Sequence, residues 1–169
     1  MIARRGLVFA LAALTAGCGF HPLYGVNSHG GPELATVYVD LIPNRGGQLL
    51  RQALQARFEG KDSTVPKRYT LSVYFYEATQ GVGVQENNFT TRNRSVGNAT
   101  WVLHPAANAS DKLAFGVVRS VDGYNIIDEQ FFYQDLSEDA VQHRLAEALA
   151  DQIKLGLALY FEKHPSTAK

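Results

Sequence analysis

The longest hydrophobic pattern in the chain lies near its C-terminal end, and it leaves little freedom in how the protein can fold. Val141, Leu145, Leu149, Ile153, Leu157 and Phe161 recur every four residues. Residues four apart share one side of an α-helix, so the run predicts an amphipathic helix of about seven turns. Asp135-Leu136-Ser137-Glu138 offers an N-cap, with Glu138 placed to reach back, and His164-Pro165 ends the helix. Leu155, Leu159 and Tyr160 widen the apolar side towards the end, which implies burial on more than one side. A helix this long and one-sided needs another apolar layer to lie on.

The upstream chain supplies that layer. Thr36 to Ile42 alternates, with Val37, Val39 and Leu41 facing one way and Tyr38 and Asp40 the other, as in a half-buried strand. Pro43 to Gly47 reads as a loop. Gln48 to Glu59 has helical spacing through Leu50, Leu54 and Phe58, and Gly60 sits just past its end. Tyr69 to Glu77 is a second strand, with Leu71, Val73 and Phe75 opposed to Tyr74 and Tyr76. It continues raggedly through Gly81-Val82-Gly83-Val84. A third strand lies within Thr90 to His104. After a turn at Pro105 to Asp111, Lys112 to Val121 forms a fourth, with Leu113, Phe115, Val117 and Val121 on one face. Strands joined by short links predict an antiparallel meander. The expected fold class is therefore α+β: a two-layer sandwich with a mostly antiparallel four-stranded sheet and two helices packed on one face. Its other face, with Tyr74, Tyr76, Thr100 and Val102, would be partly apolar and free to meet something else.

The N-terminus predicts where such a domain works. Arg4 and Arg5 precede an apolar run, Gly6 to Ala13, far shorter than the roughly 20 residues of a spanning helix. This is the pattern of an export signal. It ends in Leu14-Thr15-Ala16-Gly17-Cys18, which resembles the lipobox of bacterial lipoproteins. The resemblance implies cleavage before Cys18, a diacylglyceryl thioether on its sulfur and acylation of the new amine. Several acyl chains, at about 0.8 kcal/mol per buried methylene, make a lasting anchor. Cys18 is the only cysteine, so it has no disulfide partner within the chain. Residue 19 is Gly where an Asp would mark inner-membrane retention in enterobacterial lipoproteins; that resemblance favours the outer membrane. The expected organisation is a signal peptide over 1–17, a lipidated N-terminus and tether over 18–35, a folded domain over 36–164 and a tail over 165–169.

Little in the sequence points to chemistry. Lys and Arg total 16 and so do Asp and Glu; without the first seventeen residues the balance is 14 against 16, a formal −2. Nucleic-acid binders usually carry a strong basic excess, so no nucleic-acid partner is expected. The histidines, His21, His29, His104, His143 and His164, form no metal-ligand pair on one helix, and no metal site is expected. There is no Gly-x-Ser-x-Gly elbow. Gly81-Val82-Gly83-Val84 lacks the third glycine and following helix of a phosphate loop. The carboxylates around Asp128, Glu129, Asp135, Glu138 and Asp139 suit a helix start. Arg92 and Arg94, two apart on a strand, project from one face, with Lys112 and Arg119 on the neighbouring predicted strand. Such cations can meet phosphate groups or can be a solvated sheet edge.

Cys18-Gly19-Phe20-His21-Pro22-Leu23-Tyr24 resembles the start of mature LptE lipoproteins, the lipopolysaccharide-assembly family, in their alphaproteobacterial form. The element order resembles that family too, as does Tyr124-Asn125-Ile126-Ile127 before the acidic start of an Ala- and Leu-rich helix. What the resemblance implies is a non-enzymatic outer-membrane lipoprotein on the periplasmic side, with no cofactor beyond the covalent lipid on Cys18. Such proteins form a complex with LptD, a large β-barrel. They plug it, assist its assembly and help place lipopolysaccharide in the outer leaflet. The resemblance also implies lipopolysaccharide contacts at Arg92, Arg94 and Lys112. Two other readings stand beside it: a free periplasm-facing lipoprotein that binds peptidoglycan or another envelope ligand, and a small lipid-anchored hydrolase.

Overall fold

The computed structural model describes residues 30–58, 64–84, 90–126 and 131–164. The export signal, Cys18 and the motif at 18–24 lie outside the described residues, as do Ile127, Asp128 and Glu129. The elements run α1 (Gly30–Leu34), β1 (Val37–Val39), α2 (Arg45–Phe58), β2 (Tyr69–Val84), β3 (Thr90–Pro105), β4 (Ala114–Asn125) and α3 (Phe131–Lys163). The strands form one sheet in the order β1-β2-β3-β4. β1 pairs parallel to β2 over three residues, and the two remaining pairings are antiparallel. The α+β class, the meander and the helix-covered sheet all match the sequence expectation; the parallel β1 makes the sheet mixed.

The core lies between the helices and one face of this sheet. Leu71, Val73, Ala99, Trp101 and Leu103 rise from β2 and β3 to meet Leu50, Leu54 and Phe58 of α2. From α3 come Leu149, Ile153, Leu157 and Phe161. Steps of four residues turn the α3 stripe about 40° each, because a residue advances about 100°. The stripe therefore faces different neighbours along its length. Near its start Val141 and Leu145 form a smaller cluster with Tyr124 of β4. Near its end Phe161 packs on Tyr69, ring centroids 5.2 Å apart. Arg57 fastens α2 to α3, bonding Asp151 at 2.7 Å and Glu147 at 2.5 Å.

Several details differ from the sequence reading, each for a physical reason. β1 stops at Val39; Leu41 turns to solvent while Ile42 is buried instead. α2 begins at Arg45, before the predicted start, and takes in two glycines read as loop. A Cβ on Gly46 would stand 2.7 Å from the Phe75 ring, and one on Gly47 2.7 Å from Ile42. These glycines let the first turn approach the sheet. Asn44, just before it, holds φ +67°, a left-handed value that Asn tolerates. α3 begins at Phe131, so Asp135 lies inside the helix and is not its N-cap. The stretch read as tether and lead-in ends in α1, whose Leu34 is buried.

Candidate functional site

Strand alternation leaves one face of the sheet uncovered. The register aligns Ser72, Val102 and Phe115 across three strands, then Tyr74, Thr100 and Val117, then Tyr76, Asn98 and the exposed Arg119, then Ala78, Val96 and Val121. These side chains point away from the helices. Phe115 is 76% exposed, Tyr74 and Val117 71% each, and Tyr76 58%. On β4 the bulky odd-numbered set faces outward, and the core side holds Ala114, Gly116, Val118 and Ser120. The small residues there have a cause. A Cβ on Gly116 would stand 2.8 Å from the Trp101 ring, and so would one on Gly156 of α3. The indole fills the space that larger β4 side chains would need. A broad apolar field open to solvent is uncommon on a monomer that works alone.

Cations close one end of this face. Arg94 lies opposite Gln80 and Gly123, and Arg92 opposite Val82 and Asn125. Both are exposed, and among the described residues neither makes a hydrogen bond or salt bridge. They border a cavity of about 400 Å³ with Val82, Val121, Asp122 and Gly123. Sequence reasoning placed these two arginines together correctly. Lys112 is elsewhere: it precedes β4, beside Leu113, whose N–H donates to Leu103 O at 2.9 Å. Leu103 and Arg92 lie eleven positions apart on β3, about 35 Å of strand. The structure therefore does not bring Lys112 to the arginine end.

Arg144 was missed in the sequence. It lies off the apolar stripe of α3 and looks like any surface arginine. In the fold its Nε donates to Asp122 Oδ2 at 2.6 Å, beside the β4 end. Burial acts to raise the Asp122 carboxyl, but bonds from Arg144 and the Gly123 amide, with the charges of Arg144 and Arg92, hold it below its usual range. Behind the sheet, Asn93 Nδ2 donates to the Tyr124 hydroxyl at 2.9 Å, and that hydroxyl lies 3.5 Å from Glu138 Oε2. Nearby, burial and the Glu138 charge raise the Glu77 carboxyl, with a Ser95 hydrogen bond acting against them. Among the described residues no group of three or more His, Cys, Asp or Glu could hold a metal. His104 and His164 each contact a backbone carbonyl, of Asp111 and Tyr160. None of the described helices is long and apolar enough to cross a membrane. This arrangement suits docking of an apolar surface and of anions.

Comparison with known proteins agrees with this architecture. A family model described as LptE, lipopolysaccharide-assembly, matches residues 34–155. A Caulobacter crescentus CB15 protein described as a lipoprotein superposes with a TM-score of 0.61 at 24% identity, covering 79% of this chain and 97% of that one. The minor lipoprotein of Acinetobacter baumannii gives 0.53 at 14% identity, covering 73% and 90%. Rare lipoprotein B of Shewanella oneidensis gives 0.53 at 8% identity, covering 73% and 93%. At these identities the likeness is one of fold. No curated protein matches the chain.

Proposed function

Because the chain belongs to the LptE family of lipopolysaccharide-assembly proteins, we propose that it is an outer-membrane lipoprotein, anchored through acylated Cys18, that seats inside an LptD-type β-barrel. There it plugs the lumen, assists barrel assembly and takes part in moving lipopolysaccharide to the outer leaflet. The observation that carries this reading is the uncovered sheet face, whose exposed Tyr74, Tyr76, Phe115, Val117 and Val121 are interrupted by Arg119 and ended by Arg92 and Arg94. A barrel wall can cover such a field. Lipopolysaccharide, an amphiphile with acyl chains and phosphates, offers both chemistries that the face presents. Size agrees as well. β2 and β3, at 16 residues each, are about 50 Å long, and four strands span about 15–20 Å. A body of that section suits the lumen of a many-stranded barrel. No catalytic step is assigned to any residue.

Extraction in mild detergent tests the complex directly. The protein should co-purify with an outer-membrane β-barrel, and its depletion should lower mature barrel and surface lipopolysaccharide together. Recovery of acylated protein alone, or pelleting with purified cell wall, would overturn the proposal in favour of a free envelope-binding lipoprotein. Mass spectrometry of the mature chain should show acyl groups on Cys18.

A further inference from the structure

β4 ends the sheet with an open edge. Ile126 N–H donates to Thr91 O at 2.8 Å, one step beyond the pairing of Arg92 with Asn125. Backbone groups alternate in direction along a strand, so the even-numbered residues of β4 bond to β3 and the odd-numbered ones point outward. Gln152 of α3 agrees with this, since its Nε2 donates to Arg119 O at 3.2 Å. Among the described residues no strand lies beyond β4. Exposed edges are usually blunted by brevity, lysine or proline. β4 is 12 residues long and contains neither lysine nor proline.

α3 borders the same edge and runs back along it. Arg144 bonds Asp122, Gln152 bonds Arg119, and Gly156 lies against Trp101, the partner of Gly116. Leu149 lies over Gly97 of β3, so the helix rides above the β3–β4 pair. Leu159 lines a groove of about 390 Å³ with Phe115 beside the edge. Leu155 stands one turn earlier on the same side. Both leucines are nearly half exposed.

We propose that this side of the molecule pairs with a second copy of the chain, β4 against β4 and α3 against α3, about a two-fold axis. Both elements can meet themselves antiparallel under one axis, as an isologous interface requires. The spacing agrees. Strands pair about 4.8 Å apart and α3 rides about half a strand inside β4, so the two α3 axes would lie about 10 Å apart, a distance at which helices pack. The charges permit it. With the axis at Ser120, Arg119 faces the second copy's Val121, and like charges are not directly opposed. The seam, about 40 Å long and about 15–20 Å deep, covers about 600–800 Å² of each copy, close to the roughly 800 Å² per partner of a standard interface. The joined sheet is about twice as wide as the body that suits one barrel lumen. The inference therefore goes beyond the barrel reading and describes the protein outside a barrel.

Sedimentation equilibrium of the full chain in a neutral detergent tests it. The natural protein should pass from monomer to dimer as concentration rises. Leu159→Lys, which sets an ammonium in the helix seam, should raise the dissociation constant at least about tenfold. Val117→Pro should do the same: its N–H points outward, so the ring blocks the edge without removing a bond to β3. Tyr74→Ser, on the open face of β2, should leave the dimer unchanged. A thermal melt of each variant reports folding separately. Ser120→Cys should form an intermolecular disulfide on mild oxidation, because residues opposed at the axis stand about 4.5 Å apart, and Leu159→Lys should suppress it. A natural protein that stays monomeric throughout would overturn the proposal. Folded Leu159→Lys and Val117→Pro proteins that dimerise as before would overturn it too. So would an equal loss from Tyr74→Ser, which would place self-association on the open face. None of these results bears on barrel co-purification, so the two readings fail separately.

Discussion

Gly156 shows how a single residue sets how closely α3 lies on the sheet. A methyl group there would stand 2.8 Å from the Trp101 ring, and one on Gly116 would stand equally close. Replacing Gly by Ala in a helix normally gains about 1 kcal/mol. Overpacking a ring that cannot retreat costs about 1–3 kcal/mol. The second effect is larger here, so Gly156→Ala should lower unfolding stability by roughly 1 kcal/mol. Trp101 is the only tryptophan, so its fluorescence in a urea titration reports this packing directly. Glu77 makes an opposite case. Burial, chiefly, raises its carboxyl in the folded state. Its contribution to stability is therefore fully present below the unfolded-state pKa and is lost as pH rises through the folded value. Glu77→Gln should raise the melting temperature at neutral pH, and the gain should fade under acid conditions. A gain that persists unchanged to low pH would show that Glu77 ionisation is not its source.

At the scale of elements, the contact between α2 and α3 centres on one arginine. Arg57 meets Asp151 and Glu147 and also donates to Ala53 O at 3.0 Å. Both carboxylates are largely exposed, so solvent screens the pairs. Arg57→Met should then cost about 1 kcal/mol. The bond from Arg57, first, holds Asp151 below its usual range. That contribution is present above the unfolded-state pKa and is lost as pH falls through the folded one, so natural and variant melting temperatures should converge in acid. The elements themselves were legible in sequence wherever periodicity was unbroken. The stripe from Val141 to Phe161 and the alternation from Leu71 to Val73 gave the right layers. Helix starts were not legible, because Gly46 and Gly47 carry a loop signal in sequence and a packing role in space. β4 misleads in a related way. Its apolar alternation is genuine, but Trp101 occupies the core beneath it, so the bulky set faces out. Arg92 and Arg94 could be paired from their spacing alone. Arg144 could not, because only the fold brings α3 to the end of β4.

At the scale of the whole molecule, the two faces of the sheet carry different obligations. The helix-covered face holds the protein together, and the open face contributes little to its folding. Phe115 and Val117 are each more than two-thirds exposed, so their removal leaves no core cavity. The double variant Phe115→Ser, Val117→Ser should change unfolding stability by no more than about 0.5 kcal/mol per site. If a barrel wall covers this face in the cell, the same variant replaces apolar contact with hydroxyl groups that must be desolvated on docking. Its co-purification with the barrel should drop, and surface lipopolysaccharide should drop with it. Leu149→Ala makes the opposite trade. Its side chain is fully buried and the change opens a cavity worth about 2–5 kcal/mol, while leaving the open face intact. Any Leu149→Ala protein that still folds should dock normally. Measuring melting temperature and barrel recovery for both variants separates a face built for a partner from one that merely tolerates solvent. If Phe115→Ser, Val117→Ser docks as well as the natural protein, the barrel must grip the molecule by another surface.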